Sequence, residues 1–463
     1  MIRKIITLIT ASALAVSALG FAACKNKNDE RFSYTEIMSG DKVTAYVITG
    51  LYDKEVNEIT VPAKYNRKPV TAIAENAFAG CESLTSVVIP DSVQSIGGKA
   101  FYECSGLETI TFGKGLKEVG AIAFGRCDEL KSVYVGSVGD WCGIDFIDLG
   151  ANPMYFASEL YFGGSPAGNT VIPDNVTQIK PYTFYGCENI TALEIGSGVT
   201  EIGEMAFYNC TNLKSVAGGK NLLKIGKDAF LDCSSLESAE IGEKVQKIEE
   251  NAFCRCTMLK EIVIPASVQS IGECAFNSCT SLKSVTFNDG LKQIGDCAFG
   301  SCSSLERFEM PDSVTKIGWG VLMFGGITAG FGGSADPSNS VKHIVISNSI
   351  TEISDYAFNN CNITDVVLGD SVQTIGYSAF YGCAMLESVV VPESVTKITS
   401  YAFYRCSMLT TVYYKGNEAG WSAISIGKNG NDILNATIYY YSETKPAAGG
   451  NFWHYVNGEA VKW

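Results

Sequence analysis

The chain is 463 residues long, 46% hydrophobic and 18% charged, and its 35 Lys plus Arg against 49 Asp plus Glu give a net charge of −14. With no basic run beyond the first few residues, this balance argues against nucleic acid as a partner. Its 23 Phe and 22 Tyr are ample for a continuous core, which excludes disorder away from the ends.

The first 24 residues, MIRKIITLITASALAVSALGFAAC, place Arg3 and Lys4 ahead of an apolar run that ends in small residues, the layout of a secretory signal peptide. Phe21-Ala22-Ala23-Cys24 resembles the lipobox of bacterial lipoproteins. The resemblance implies a signal segment over 1–23, a diacylated Cys24 at the new N-terminus, and attachment to the outer face of the cell membrane or to the cell surface. Ordinary cleavage after Gly20 is the alternative, and either route exports the protein. Loss of Arg3 and Lys4 takes the net charge from −14 to −16. Residues 24–34 then read as the lipidated cysteine and a polar tether. No later apolar stretch approaches the roughly 18 residues needed to span a bilayer, so the lipid is the expected membrane contact.

Residues 35–70 alternate apolar and polar positions without an Ala-Phe pair and read as an N-terminal cap coil. From 71 to 414 the chain repeats itself. Phe78, Phe101 and Phe124 stand 23 residues apart, as do Phe184, Phe207, Phe230, Phe253, Phe276 and Phe299; Phe358, Phe380 and Phe403 close the series with one step of 22. Twelve copies in one register predict a repeat solenoid of about 13 coils. Two stretches interrupt it, near 136–170 and 319–340, and read as loops thrown out from the stack or as degenerate coils. Residues 415–463 fall out of register, are rich in aromatics, and read as a C-terminal cap and tail.

Each copy follows L-x-x-V-x-I, a turn, V-x-x-I-G, and a short A-F-x-x-C element. Leu84, Val87 and Ile89 match the strand pattern of leucine-rich repeats, with Val87 and Ile89 inward and Val88 outward because side chains alternate along a strand. Gly97 is expected to free the backbone for a bend. The spacing of Ala77, Phe78 and Cys81 predicts a single helical or 3-10 turn that packs one face into the core.

Twelve of the 17 cysteines share one repeat position, from Cys81 to Cys406. A line of thiols cannot converge on a metal as zinc requires, and neighbouring rungs about 4.8 Å apart are poorly placed for disulfides. They are expected to be reduced, buried packers, with Cys274 and Cys297 the most plausible exceptional pair. Only His343 and His454 are present, neither near triad or metal partners, and both are expected at the surface. Neither G-x-S-x-G nor a P-loop occurs. No catalytic residue, cofactor or metal is therefore expected. The outward strand position supplies a candidate binding strip: Tyr134, Glu194, Glu240, Thr286, Glu309 and Tyr413, with Thr111, Val263 and Val390 among the other members of the same row.

The unit seen in VTAIAENAFAGCESLTSVVIPDS and VQTIGYSAFYGCAMLESVVVPES resembles the BspA-like class of leucine-rich repeats of bacterial surface proteins, over roughly residues 42–440. The resemblance implies a right-handed solenoid and a role in surface adhesion. Its partner would be an extracellular protein, such as host matrix or another cell-surface protein, or a glycan. A scaffold that organises proteins in the bacterial envelope is the alternative function.

Overall fold

The computed structural model describes residues 29–323, 340–447 and 449–463. The signal segment, Cys24 and residues 25–28 of the tether lie outside these residues, as does most of the 319–340 interruption. The chain divides at Asn221/Leu222 into two compact units.

In the first unit each coil contributes one strand to a front sheet and one to a back sheet. The front strands are Glu58–Thr60, Ser86–Val88, Thr109–Thr111, Ser132–Val135 and Glu159–Phe162, all parallel; Ser86 faces Thr109, which faces Ser132. The back strands are two-residue pieces such as Ser95–Ile96 and Glu118–Val119. An antiparallel hairpin, Phe32–Ser39 with Lys42–Leu51, pairs with the strand Lys68–Ile73 of the first coil. In the second unit the front ladder from Arg307–Glu309 runs through Ser388–Val391 and Thr411–Tyr414 to Thr437–Tyr441, and ends on the antiparallel pair Phe452–Val456 and Glu459–Lys462.

The core is the one the repeat dictates. Leu84, Val87, Val93, Phe78 and Cys81 are each 0% exposed, while Val88 lies half open between them. Successive Phe rings stack in parallel, with Phe101 and Phe124 5.3 Å apart at 3° and Phe276 and Phe299 5.2 Å apart at 6°. Such contacts add roughly 0.5–1.5 kcal/mol each beyond the area they bury.

The A-F-x-x-C element differs from the expected helical turn. The i to i−3 hydrogen bonds are present, as in Ala79 N–H to Asn76 O and Cys81 N–H to Phe78 O, both within 3.1–3.2 Å. They do not join into a helix because two residues per coil are left-handed: Asn76 (φ 57) and Gly80 (φ 70), Lys99 (φ 54) and Glu103 (φ 59), Asn251 (φ 52) and Arg255 (φ 58). Left-handed backbone costs a non-glycine residue about 1–2 kcal/mol. Here it points alternate N–H groups along the stack, where Asn76, Phe78 and Gly80 donate to Gly98 O, Ala100 O and Tyr102 O at 2.8–3.1 Å. The turns thus form a third hydrogen-bonded ladder beside the two sheets, and buried backbone groups are paired at low side-chain demand.

Gly97 also acts differently from expectation. Its φ is not positive; instead a Cβ there would lie 2.4 Å from Glu75 N, and one at Gly120 would lie 2.5 Å from Gly98 N. The glycine is required by close approach of one coil's backbone to the next.

The number of turns is about 16 among the described residues, against about 13 expected. The excess comes from stretches that lack the Ala-Phe signature and still make coils. In the first interruption the helix Val138–Cys142, the back strand Asp145–Phe146 and the front strand Glu159–Phe162 complete a full turn. The start of the 415–463 segment repeats this plan with the helix Glu418–Ala423 and the strands Ser425–Ile426 and Thr437–Tyr441. Across the second interruption, Arg307 pairs directly with His343, so the step from one front strand to the next is 36 residues there against 23 in a regular coil.

Candidate binding surfaces

The ladder cysteines do more than fill space. Eight rungs donate a thiol to the carbonyl of the Phe one coil earlier, among them Cys104 to Phe78 O (3.1 Å), Cys127 to Phe101 O (3.2 Å), Cys279 to Phe253 O (3.2 Å) and Cys406 to Phe380 O (3.2 Å). Cys187 follows the long coil, which has no equivalent Phe, and approaches Asn189 Oδ1 at 3.3 Å instead. All 16 described cysteines are free thiols. Burial pushes Cys127, Cys187 and Cys302 up to about 12, so they stay protonated and poorly nucleophilic at neutral pH. Cys274 and Cys297 share a hydrogen bond in place of the disulfide considered for them; it raises Cys274 and lowers Cys297. Among the described residues no group of three or more His, Cys, Asp or Glu could hold a metal ion.

The outward row of the front sheet is only partly open. In the first unit Glu194 is exposed between its register partners Val171 and Ala217, whereas Tyr134 is half-buried with its ring stacked on Tyr161 at 4.7 Å. Thr111, beside Tyr134 in the ladder, is 5% exposed. In the second unit Glu240, Val263 and Thr286 are exposed. Glu309 is exposed too, but Arg307 on the same strand holds its carboxylate, with Nε to Oε1 at 2.7 Å. Tyr413 packs on Tyr439 (6.0 Å) and Trp453 (5.4 Å) and closes the row as an aromatic cover. The expected strip therefore separates into open polar positions and two tyrosines engaged by neighbouring rings.

Neither histidine is fully at the surface. His343 is half-buried and its Nδ1 contacts Asp365 on the adjacent strand, while the His454 ring stacks on Trp463 at 3.6 Å. Asp365 also accepts from the Thr364 hydroxyl at 3.0 Å, so the His343 contact is part of a local polar cluster on the front sheet.

These features can be set beside known proteins. A family model described as the BspA type leucine-rich repeat region, in six copies, matches residues 51–139, 157–279, 246–325 and 336–427. The chain belongs to the BspA-type leucine-rich repeat family. A search of curated proteins found no match. Among solved structures, a leucine-rich repeat protein from Bacteroides ovatus ATCC 8483 is 21% identical, with 91% of this chain and 99% of that chain covered at a TM-score of 0.61. A leucine rich cell surface protein from Faecalibacterium prausnitzii A2-165 is 25% identical, with 88% and 98% covered at 0.39. The pneumococcal vaccine antigen PcpA is 17% identical, with 91% and 94% covered at 0.38.

This BspA-type chain carries surfaces that strand periodicity did not indicate. On the turn side of the second unit Trp319, Tyr356, Tyr377 and Tyr401 form a herringbone with successive centroids 5.6 Å apart. Arg405 lies over both Tyr381 and Tyr404. In the first unit Tyr185 stacks on Tyr208 at 4.9 Å and 5°. The signal available in the sequence for Tyr185, Tyr208, Tyr381 and Tyr404 was the recurring Phe-Tyr pair at 184–185, 207–208, 380–381 and 403–404, whereas Tyr356, Tyr377 and Tyr401 precede the core Phe by two or three positions. The pair places a tyrosine just outside the core ring in five of the twelve copies; the others carry Ala, Gly, Leu, Cys or Asn there.

Proposed function

We propose that this protein is a non-enzymatic binding protein of the bacterial cell surface, anchored through lipidated Cys24, that holds an extracellular protein or glycan against its front sheets. The observation that carries the reading is the set of exposed side chains on and beside the parallel ladders, Glu194 in one unit and Glu240 (just past the strand Ser238–Ala239), Val263 and Thr286 in the other. A sheet face of this kind is the surface that repeat proteins commonly present to large partners. Export is supported by the first 24 residues, where the basic pair, the apolar run and Phe21-Ala22-Ala23-Cys24 follow one another. The acidic balance favours partners other than nucleic acid.

Two measurements test the reading. Cys24→Ala should move the protein from the membrane fraction to the medium, and retention in the membrane would sink the lipid anchor. Pull-down by the exported chain from host matrix proteins, mucins and neighbouring cells should fall with Glu194→Lys and Glu240→Lys while circular dichroism stays unchanged. Undiminished capture by both variants would remove the open strip from consideration. Glu309→Lys is a weaker probe because it also breaks the pair with Arg307.

A further inference from the structure

At the edge of the front sheet in the second unit, the turns that follow three successive strands and the closing hairpin leave an open groove of about 490 Å³. This is within the range of about 300–1,000 Å³ typical of small-ligand sites. Its lining includes Asp370, Glu393, Ser394, Lys415, Tyr441 and Tyr455. None of these residues belongs to the outward strand row, so the site is independent of the sheet-face reading.

The groove has a definite chemical character. Lys415 pairs with Asp370 and lies 5.8 Å from the Tyr455 ring centroid. Burial acts to lower the Lys415 pKa, but the bond to Asp370 together with Tyr455 outweighs it and holds the ammonium above the ordinary lysine range. With Asp370 balanced in this way, Glu393 is the one lining charge without an ion pair among the described residues. Ser394 donates its hydroxyl to Val372 O at 2.7 Å and keeps its lone pairs as acceptors. Tyr441 and Tyr455 remain 36% and 39% exposed. Both pack edge-to-face on fully buried Trp453, at 5.2 and 4.9 Å, which fixes their ring planes before any ligand arrives.

We propose that this groove binds a neutral oligosaccharide, with the sugar's apolar face against Tyr441 and Tyr455 and its hydroxyls on Glu393, Asp370 and Lys415. A sugar hydroxyl both donates and accepts, and the wall offers carboxylate and serine acceptors beside ammonium and phenol donors. An anionic glycan would meet two carboxylates. A cationic peptide would find one carboxylate already neutralised by Lys415. A neutral polyhydroxyl ligand uses all four kinds of group and leaves no charge unbalanced beyond the one already present.

The test is isothermal titration and saturation-transfer NMR of the full chain against neutral di- to tetrasaccharides of glucose, galactose, mannose and N-acetylglucosamine. Hexalysine and a sulfated disaccharide serve as charged comparisons. At least one neutral oligosaccharide should bind, Glu393→Gln should weaken it at least tenfold, and Tyr455→Ala should abolish the transfer signal. Because Tyr455→Ala touches the closing hairpin, the exposed Glu393→Gln change carries the decision if the former misfolds. Glu194→Lys and Glu240→Lys should leave saccharide affinity unchanged, which separates this site from the sheet-face strip. Binding of only the charged probes, binding of none, or equal affinity in Glu393→Gln would overturn the proposal.

Discussion

The regular coils and the two long coils, about 136–162 and 415–441, solve the same problem with different groups. A regular coil turns on two left-handed residues, stacks a Phe on its neighbours and hands a thiol to the preceding Phe carbonyl. The first long coil turns on the helix Val138–Cys142, capped by Ser137, and buries Trp141, whose indole donates to Thr183 O at 2.7 Å. Asn152 adds a bond from Nδ2 to Tyr182 O at 2.6 Å. In the second, Asn431 Oδ1 accepts from Phe403 N–H at 3.0 Å, where a regular neighbour would offer the carbonyl of its Ala, as Ala402 does to Phe380. Where the repeat lapses, side-chain amides and indoles take over bonds that the backbone makes elsewhere. Stacking continues because these ladder groups still meet partners.

Alkali should have the largest effect, because it acts on the regular coils all at once. Thiols held near 12 in the fold, against 9.0 for an unperturbed thiol, keep protons that the unfolded chain has lost. Their contribution is complete below about pH 9 and declines as pH rises from there towards 12. A urea-midpoint profile should be level near neutrality and fall steeply above pH 9; a midpoint constant up to pH 11 would exclude buried protonated thiols as a source of stability.

Phe276→Ala should come next, at about 3–5 kcal/mol, since it opens a cavity between Phe253 and Phe299. Hydrogen exchange should report lost protection in the coils on either side, and protection lost across the whole chain would show that the coils do not act as neighbours only. Trp141→Phe keeps most of the volume and leaves Thr183 O without its indole, an expected cost of about 1–3 kcal/mol. Trp421→Phe should cost less, because Trp421 is only half-buried. Equal losses would mean that the two long coils are not held differently. The smallest change is a gain. Ile122 is a β-branched residue at φ 55 with a 41% exposed side chain, so Ile122→Asn should raise the thermal midpoint slightly, by about 0.5–1 kcal/mol in free energy.

The strands and the core were legible because Leu84, Val87, Phe78 and Cys81 recur at fixed steps, and burial demands the same residue at the same place each time. The left-handed positions were not. Asn76, Lys99, Ile122, Met205 and Cys274 all occupy one of them, because hydrogen bonds from adjacent coils impose the conformation whatever the side chain. The long coils were hidden for a related reason: a single Trp and a single Asn replace the whole Phe-and-Cys signature. For the candidate strip, strand periodicity named a row in which Glu194, Glu240, Thr286 and Glu309 are exposed while Thr111 and Val390 are buried. It could not show that Tyr134 and Tyr413 are engaged by rings from Tyr161, Tyr439 and Trp453, since those partners lie in segments with no shared pattern.

The third ladder has a consequence for how such a chain can change in length. Phe253 N–H bonds Ala275 O and Phe276 N–H bonds Ala298 O, and each bond spans the same stretch of chain. Excising residues 253–275 would bring Phe276 into the place of Phe253, restoring its stack on Phe230 and the thiol rung with it. Genetic gain or loss of whole coils within a unit therefore preserves the remaining rungs while changing the length of its ladders.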